Sequence, residues 1–371
     1  MAVKVRDVIR WLEELAPLHL AEEWDNPGLQ LGDPGDLVKG ITVSLDFTAE
    51  VLSEGLEEGV NLFVTHHPLF FRPLTKLSWD APQGRLIKEA AAAGVSVYAL
   101  HTNLDNARGG LNCWLAEELG LQQVRPFGKT DPLEKLVVFV PQDHAGEVMN
   151  ALAEAGAGHI GQYSHCTFQA LGKGTFKPLT GAKPYIGKVD EIEEVDEVRL
   201  ETIIPRSLRA KVVKAMLAAH PYEEVAYDLY PLSNPGVRGG PGRLGSLPEP
   251  IPLEELAAKV KGRLGGRSVR VSGELAQKVG KVALCGGSGG GLVSLAADLG
   301  AQVYICGDLK YHDFLLGQSL GLALIDAGHY WTELVAVAGV ARFLEEKLAE
   351  AGVALPVLRT KVQRAPFIEL D

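Results

Sequence analysis

Short apolar runs separated by helical patterns dominate the first third of the chain. ITVSL (41–45), VNLFVT (60–65) and VSVYAL (95–100) have the length and β-rich composition of buried strands. Between them lie TAEVLSEGLEEG (48–59), with Thr48 as its N-cap, and GRLIKEAAAAG (84–94), both helical in pattern. Strands alternating with helices predict a parallel sheet covered on both faces. The last third repeats the scheme. KVALC (281–285), AQVYIC (301–306) and LALID (322–326) read as strands, with helices at 292–300 and over FLLGQSLG, and a long helix from about Trp331. VNLFVT falls on AQVYIC, and GVSVYAL (94–100) falls near GLALIDA (321–327), so the two ends read as an internal duplication.

The middle has another rhythm. LEKLVVFVP (133–141), CTFQALG (166–172), EVRLETIIP (197–205) and VAYDLYP (225–231) read as strands, and HAGEVMNALAEAG (144–156) and RSLRAKVVKAMLAAH (206–220) as helices. That order, βαββαβ, is the ferredoxin-like pattern. QQVRPFGKTDP (122–132) precedes it as a turn-rich stretch, and PLSNPGVRGGPGRLGSLPEP (231–250) follows as a linker. The acidic run VDEIEEVDEV (189–198) reads as a solvated loop. The predicted fold is therefore α/β. Two duplicated α/β lobes, 1–126 and 246–371, form one unit, with a ferredoxin-like α+β domain inserted at 127–245.

Composition narrows the classes. At roughly 150 residues per domain, 371 residues allow two or three domains. A hydrophobic fraction of 46% permits cores of ordinary size. Acidic residues outnumber basic ones 47 to 36, a net charge of −11, which disfavours nucleic acid and anionic membrane as partners. No apolar run reaches the ~18–20 residues of a spanning helix, and the opening MAVKVRDVIRWLEEL has no signal-peptide form. Cys113, Cys166, Cys285 and Cys306 are scattered, as expected of structural thiols in a reducing cytoplasm.

The chemistry-bearing residues follow three of the predicted strands. Thr65-His66-His67-Pro68 ends the strand at 60–65, His101 and Asp105 follow the strand at 95–100, and His329 and Glu333 follow the strand at 322–326. Ligands of open α/β sheets bind beyond the carboxyl ends of strands. A single histidine there is usually structural. Three such ends, in register with a duplication, point to a metal. His101-x₃-Asp105 and His329-x₃-Glu333 share one spacing, which on a helical turn brings both groups to one face. Imidazole with carboxylate suits Zn, Fe, Mn, Co or Ni, and the set is large enough for two divalent ions about 3.5–4 Å apart. Asp308, Lys310 and His312, after 301–306, could line such a cleft, with helix capping the competing role for Asp308. Asp46 and Asp25-Asn26 have similar status. The loop GGSGGG (286–291) is either a phosphate cradle or a tight turn, and it lacks a Walker lysine. His19, His144, His159, His165 and His220 fit no spacing pattern.

THHPLFF, HTNLDNARGG, GDLKYHDF with IDAGHYWTE, AEEWDNPGLQLG and HPYEEVAYDLYPL together resemble the GTP cyclohydrolase I type 2 homologues, relatives of the NGG-interacting factor three. The match is to the long bacterial form, whose insert is similar to nitrogen-regulator and divalent-cation-tolerance proteins. The resemblance implies a dinuclear site between the lobes of a toroidal homohexamer. Its ligands would be His66, His67, Asp105, His329 and Glu333, with Asp105 and Glu333 bridging and His101 a further ligand or the acid–base group. The expected activity is hydrolysis of a small molecule, either at the purine ring of GTP or at another nucleotide or phosphate ester, with His101 moving the proton. The competing class is a metal-binding scaffold or regulator whose insert senses a ligand or partner.

Overall fold

Fifteen strands form three sheets in the computed structural model, which describes residues 2–368. In chain order they are β1 (Gly28–Leu31), β2 (Ile41–Ser44), β3 (Leu62–Thr65), β4 (Ser96–Ala99), β5 (Gln122–Asp131), β6 (Leu133–Pro141), β7 (Thr167–Phe176) and β8 (Glu193–Pro205). They continue with β9 (Tyr227–Pro231), β10 (Val237–Pro252), β11 (Arg270–Ser272), β12 (Lys278–Ser288), β13 (Val303–Gly307), β14 (Ala323–Asp326) and β15 (Val357–Arg359). The chain divides into two compact units, one of Met1–Lys129 with Gly239–Asp371, the other of Thr130–Arg238.

The first unit holds two sheets. One has the order β1-β4-β3-β2-β15, with β2, β3, β4 and β15 parallel and β1 antiparallel at the edge. Every residue of β2, β3 and β4 is buried, as continuous apolar runs require when both faces are covered. The helix Ala49–Glu57 starts where Thr48 Oγ1 accepts from the Val51 N–H at 3.3 Å. The other sheet runs β11-β14-β13-β12-β10-β5, parallel across β12, β13 and β14 and antiparallel at β10 and β11. Both ends of the chain share one core. Val337, Val340, Leu344 and Leu348 of the helix Val335–Glu350 pack with Val5, Val8, Leu12, Ile41 and Leu62.

Two expectations are corrected. The stretch at 231–250 is largely strand β10, and its neighbour at 122–132 is β5. Pairing with β12, from Arg243↔Leu284 to Ser246↔Lys281, satisfies the backbone whatever the glycine content. The ladder breaks between Ser246 and Ile251, where Pro248 and Pro250 have no N–H to give. Arg243 in this strand is buried, and its guanidinium donates to the carbonyls of Gly240, Gly242 and Ala107 at 2.7, 2.9 and 2.6 Å. Positions 126 and 245 thus lie inside strands.

In the second unit, β7-β8-β6-β9 form an antiparallel sheet. Helices Ala145–Glu154 and Arg209–Ala219 bury Val148, Leu152, Val212 and Met216 with Leu136, Val138 and Leu200 of the sheet. The second correction is here. From Glu193 onward the acidic run is β8, paired with β7 from Phe176↔Glu193 to Gly172↔Glu197, and Glu197 is buried. Its charge pattern is that of a loop, but its backbone is held by a neighbour the pattern does not reveal. Among the described residues no helix is long and apolar enough to cross a membrane, and all four cysteines are free.

Candidate metal centre

His66 and His67 leave the end of β3 on a turn tied down by its backbone. His66 N–H donates to Leu45 O at 3.1 Å, His67 N–H to the same carbonyl at 2.8 Å, and Thr65 Oγ1 to His67 O at 2.8 Å. Neighbours on a strand point to opposite faces; the turn removes that alternation and leaves the two rings 5.1 Å apart. Past β4, His101 opens the short helix Thr102–Asn106, so Asp105 lies one turn on and its N–H donates to His101 O at 3.2 Å. Past β14, Gly328 (φ 80°) leads into the helix His329–Glu333. Only a glycine enters that region freely.

These residues converge on Glu333. Its Oε2 lies 3.0 Å from both His67 Nε2 and His329 Nε2, and its Oε1 lies 3.6 Å from His66 Nε2. Asp105 Oδ1 is 3.8 Å from His66 Nε2. His101 stands edge-on to His66 and His67, with centroids 5.3 and 5.7 Å away. Two groups, His66-His67-His101 and His67-His329-Glu333, each have donor atoms within 4.8 Å of one another, a spacing that could hold a metal ion.

Each imidazole is fixed from behind. Nδ1 of His66 donates to Leu100 O at 2.7 Å; Nδ1 of His67, His101 and His329 pairs with Asp46, Asp25 and Asp308 at 2.8, 2.7 and 2.7 Å. A ring nitrogen held this way turns the other, Nε2, toward the cluster, the arrangement that orients metal-binding histidines. For His66 the consequence is sharp. A carbonyl only accepts, so Nδ1 donates to it, and the nitrogen turned into the cluster is Nε2. It is buried without a hydrogen-bond partner, as is Asp105 Oδ1. Two buried polar atoms left without partners beside a second carboxylate are costly unless a further group such as a cation lies between them. The donor set thus fits a borderline metal such as Zn, Fe, Mn, Co or Ni.

The electrostatics agree. Burial pushes the Asp105 carboxyl up to about 7, against the pull of His66. Burial would raise Glu333 too, but His66, His329 and His67 outweigh it and hold that carboxyl well below its ordinary range. Burial opposes charge on His67, yet Asp46 and Glu333 raise it to about 10. The Glu333 hydrogen bond raises His329 to about 9 despite burial, with Asp308 adding to it. Asp25 is desolvated, but its bonds to His101 and Thr102 bring it down to about 2.

The structure therefore brings together His66, His67, His101, Asp105, His329 and Glu333, and recruits Asp25, Asp46 and Asp308 behind them. Asp46 and Asp308 follow β2 and β13, so the strand-end rule could find them; Asp25 is 76 residues from His101, and no spacing signals that pair. Asp308 orients His329, while the helix Tyr311–Ser319 is capped by Asp313 on the Lys310 N–H. Lys310 opens that helix, and His312 stacks on Tyr311 in solvent. The stretch read as a glycine loop is the end of β12, through Ser288, followed by a 3-10 turn at Gly290–Leu292. Gly286 and Gly287 N–H groups donate to Asn112 and Thr332 at 2.6 and 2.9 Å, and a Cβ at Gly287 would sit 2.2 Å from Glu333 Oε1.

A Bacillus subtilis GTP cyclohydrolase 1 type 2 homolog is 42% identical over 368 residues, 99% of this chain and 98% of that protein. A Mycobacterium tuberculosis protein of the same name is 38% identical over 363 residues, 96% of this chain and 94% of that one. The crystal structure of a Bacillus cereus protein related to NIF3 superposes over the whole of both chains with a TM-score of 0.83 at 42% identity. A Staphylococcus aureus structure gives 0.78 at 30% identity, covering 100% of this chain and 99% of that one. The profile of the Duf34/NIF3 (NGG1p interacting factor 3) family matches residues 3–366, strand ends and histidine cluster included, and the chain belongs to that family.

Proposed function

We propose that this chain is a dinuclear metal-dependent hydrolase, with His66, His67, Asp105, His329 and Glu333 as ligands to two divalent ions and His101 as the proton carrier. The observation that carries the reading is the division of Glu333. Its Oε2 meets His67 and His329 at 3.0 Å while its Oε1 faces His66 at 3.6 Å, so one carboxylate addresses two imidazole sets. A carboxylate between two ions does the same. Asp105, whose Oδ1 is buried and unpaired beside His66, is the second proposed bridge.

When bound, two such ions lower the pKa of a shared water from ~16 towards ~7 and polarise the group under attack. Asp25 holds the His101 Nδ1–H, so Nε2 is the atom that takes and returns a proton. Asp46 and Asp308 keep His67 and His329 from rotating away. Trp24 and Phe71, about half exposed, lie 6.0 and 6.1 Å from the His101 ring and offer a stacking surface for a planar substrate. The purine of GTP fits that description and matches the relatives' name; another nucleotide or phosphate ester is the other hydrolytic substrate. The geometry also favours a second role for His101, as a ligand beside His66 and His67.

The side chains of His67 and His329 are 28% and 34% exposed, so the cluster has a solvent-facing side. That supports coordination positions open to substrate and favours catalysis over a metal staple in a scaffold or regulator. The matching runs β4-β3-β2 and β14-β13-β12 support duplicated lobes, and the element order of Thr130–Arg238 supports a ferredoxin-like insert. A toroidal homohexamer in a reducing cytoplasm belongs to the same reading.

The test is metal content per chain on protein purified without chelator, followed by turnover of GTP and of phosphate esters. About two ions with turnover is the expected result. Failure to bind any of Zn, Fe or Mn on add-back removes the reading. Two ions with no turnover of either class moves the protein to the scaffold class. The His101→Ala variant separates that residue's two roles: a proton carrier leaves the metal count intact, and a ligand lowers it.

A further inference from the structure

The unit Thr130–Arg238 contains a cavity of about 670 Å³, lined entirely by its own residues. Small-molecule sites run ~300–1,000 Å³, so the volume is that of a ligand pocket. Its lining is mostly apolar, and aromatic rings form one wall. Tyr222 is the centre of a ring cluster with Phe176 at 5.8 Å and Tyr185 at 6.3 Å. Phe139 adds a further face.

Into this apolar space the sheet delivers one buried carboxylate. Glu197 on β8 is 8% exposed. Its cross-strand partner is Gly172, where a Cβ would meet nothing within 4 Å. Two positions along β7, a Cβ at Gly174 would sit 2.1 Å from Glu197 Oε2. Glycines therefore keep open the space around the carboxylate. Tyr222 Oη donates to Oε1 at 3.0 Å; burial and the nearby Glu197 raise that phenol, so it stays a donor.

The cations around the cavity are committed elsewhere. Arg199 pairs with Glu201 at 2.8 Å and lies over the Phe139 ring at 5.4 Å. Lys173 pairs with Glu194, and Lys177 with Asp190 at 3.6 Å. His220, edge-on to Tyr222 at 5.0 Å, donates through Nε2 to Phe139 O and accepts at Nδ1 from the Tyr222 N–H, and burial lowers it towards the neutral form. Among the described residues no basic side chain forms an ion pair with Glu197. Glu223 and Glu224 at the rim add negative charge. A buried carboxylate with one neutral donor, set among aromatic faces, matches a cation with N–H donors: the carboxylate takes the charge, and the ring faces attract it.

We propose that this cavity binds a small organic cation, an amine on an apolar body, whose ammonium group donates to Glu197 and packs against Tyr222 and Phe176. The site is independent of the metal chemistry proposed above.

The test uses the full chain and three probes of similar shape: phenethylamine, neutral 2-phenylethanol and anionic 3-phenylpropanoate. Saturation-transfer NMR and titration calorimetry read their binding. Phenethylamine should bind about tenfold or more tighter than the alcohol, the size of one charge-assisted hydrogen bond. Glu197→Gln, nearly the same shape, should abolish that preference, and Gly172→Leu should weaken amine and alcohol together by filling the space. Three outcomes overturn the proposal: no saturable binding of phenethylamine at millimolar concentration, equal amine binding by Glu197→Gln, or tighter binding of the propanoate. The last would assign the cavity to an anion held by Lys173, Lys177 and Arg199.

Discussion

The histidine cluster and the aromatic cavity are two ways of handling buried charge. In the cluster, most ionisable groups have partners, and His66 Nε2 and Asp105 Oδ1 are the buried atoms left without one. Glu333 meets three imidazoles, and three of the four imidazoles are backed by a carboxylate. In the cavity, Glu197 has a tyrosine hydroxyl and ring faces. The first arrangement offers several donor atoms at once, a spacing that could hold a metal ion. The second leaves a single charge for a single complement. Because the cluster draws on β2, β3, β4, β13, β14 and the loops after them, its parts act as one; the cavity's selectivity rests largely on one residue.

That contrast can be broken experimentally, starting where the effect is largest. Replacing Asp105 and Glu333 together with alanine should take the chain from about two metals to none; two metals retained in the double variant would refute the ligand set. The same variant should still bind phenethylamine as the unmodified chain does, since the cavity shares no residue with the cluster.

Changing the orienting carboxylates comes next. Asp25→Asn, Asp46→Asn or Asp308→Asn should each weaken metal binding or turnover by about 10–100-fold, the usual effect of removing a group behind a ligand. Competition with a chelator measures it, and an unchanged affinity in all three would mean the histidines need no support.

The pH dependence is smaller but has a definite sign. Without metal, His67 and His329 are raised to about 10 and about 9, so both carry protons at neutral pH. A metal must displace those protons, so affinity rises with pH until the histidines deprotonate unaided near pH 9–10. Proton release on metal addition at pH 7, read by calorimetry in buffers of different ionisation enthalpy, is the direct check; binding that weakens as pH rises from 6 to 8 would contradict it.

The smallest expected effect on the metal centre is no change. β5 and β10 are adjacent in one sheet, so a short glycine-serine loop can replace Thr130–Arg238. The shortened chain should keep its metal content and lose amine binding. A shortened chain that folds but holds no metal would tie the two regions together and end the comparison.

Much of the first region is legible in the amino-acid order. Apolar runs of strand length ending in histidine locate His66-His67, His101 and His329, because strand period and burial are local properties. The His-x₃-carboxylate spacing is legible for the same reason: residues i and i+4 lie about one helical turn apart, on one face. Which carboxylate stands behind which imidazole is not, since Asp25 reaches His101 across 76 residues and Asp46 reaches His67 across 21. The glycine-rich stretch around 237–252 and the acidic stretch from 193 carry loop composition and are nevertheless strands, because partners elsewhere in the chain hold their backbones.

Local pattern thus determined the alternation of strands and helices, the charge balance and the residues capable of chemistry. Tertiary structure decided what those residues face. It left His66 Nε2 between two carboxylates, packed Gly287 against Glu333, and turned Glu197 from an apparent surface charge into part of a cavity wall. The physical reason is the same in each case. The energy of a buried polar group is set by the atoms around it, and those arrive from distant parts of the chain.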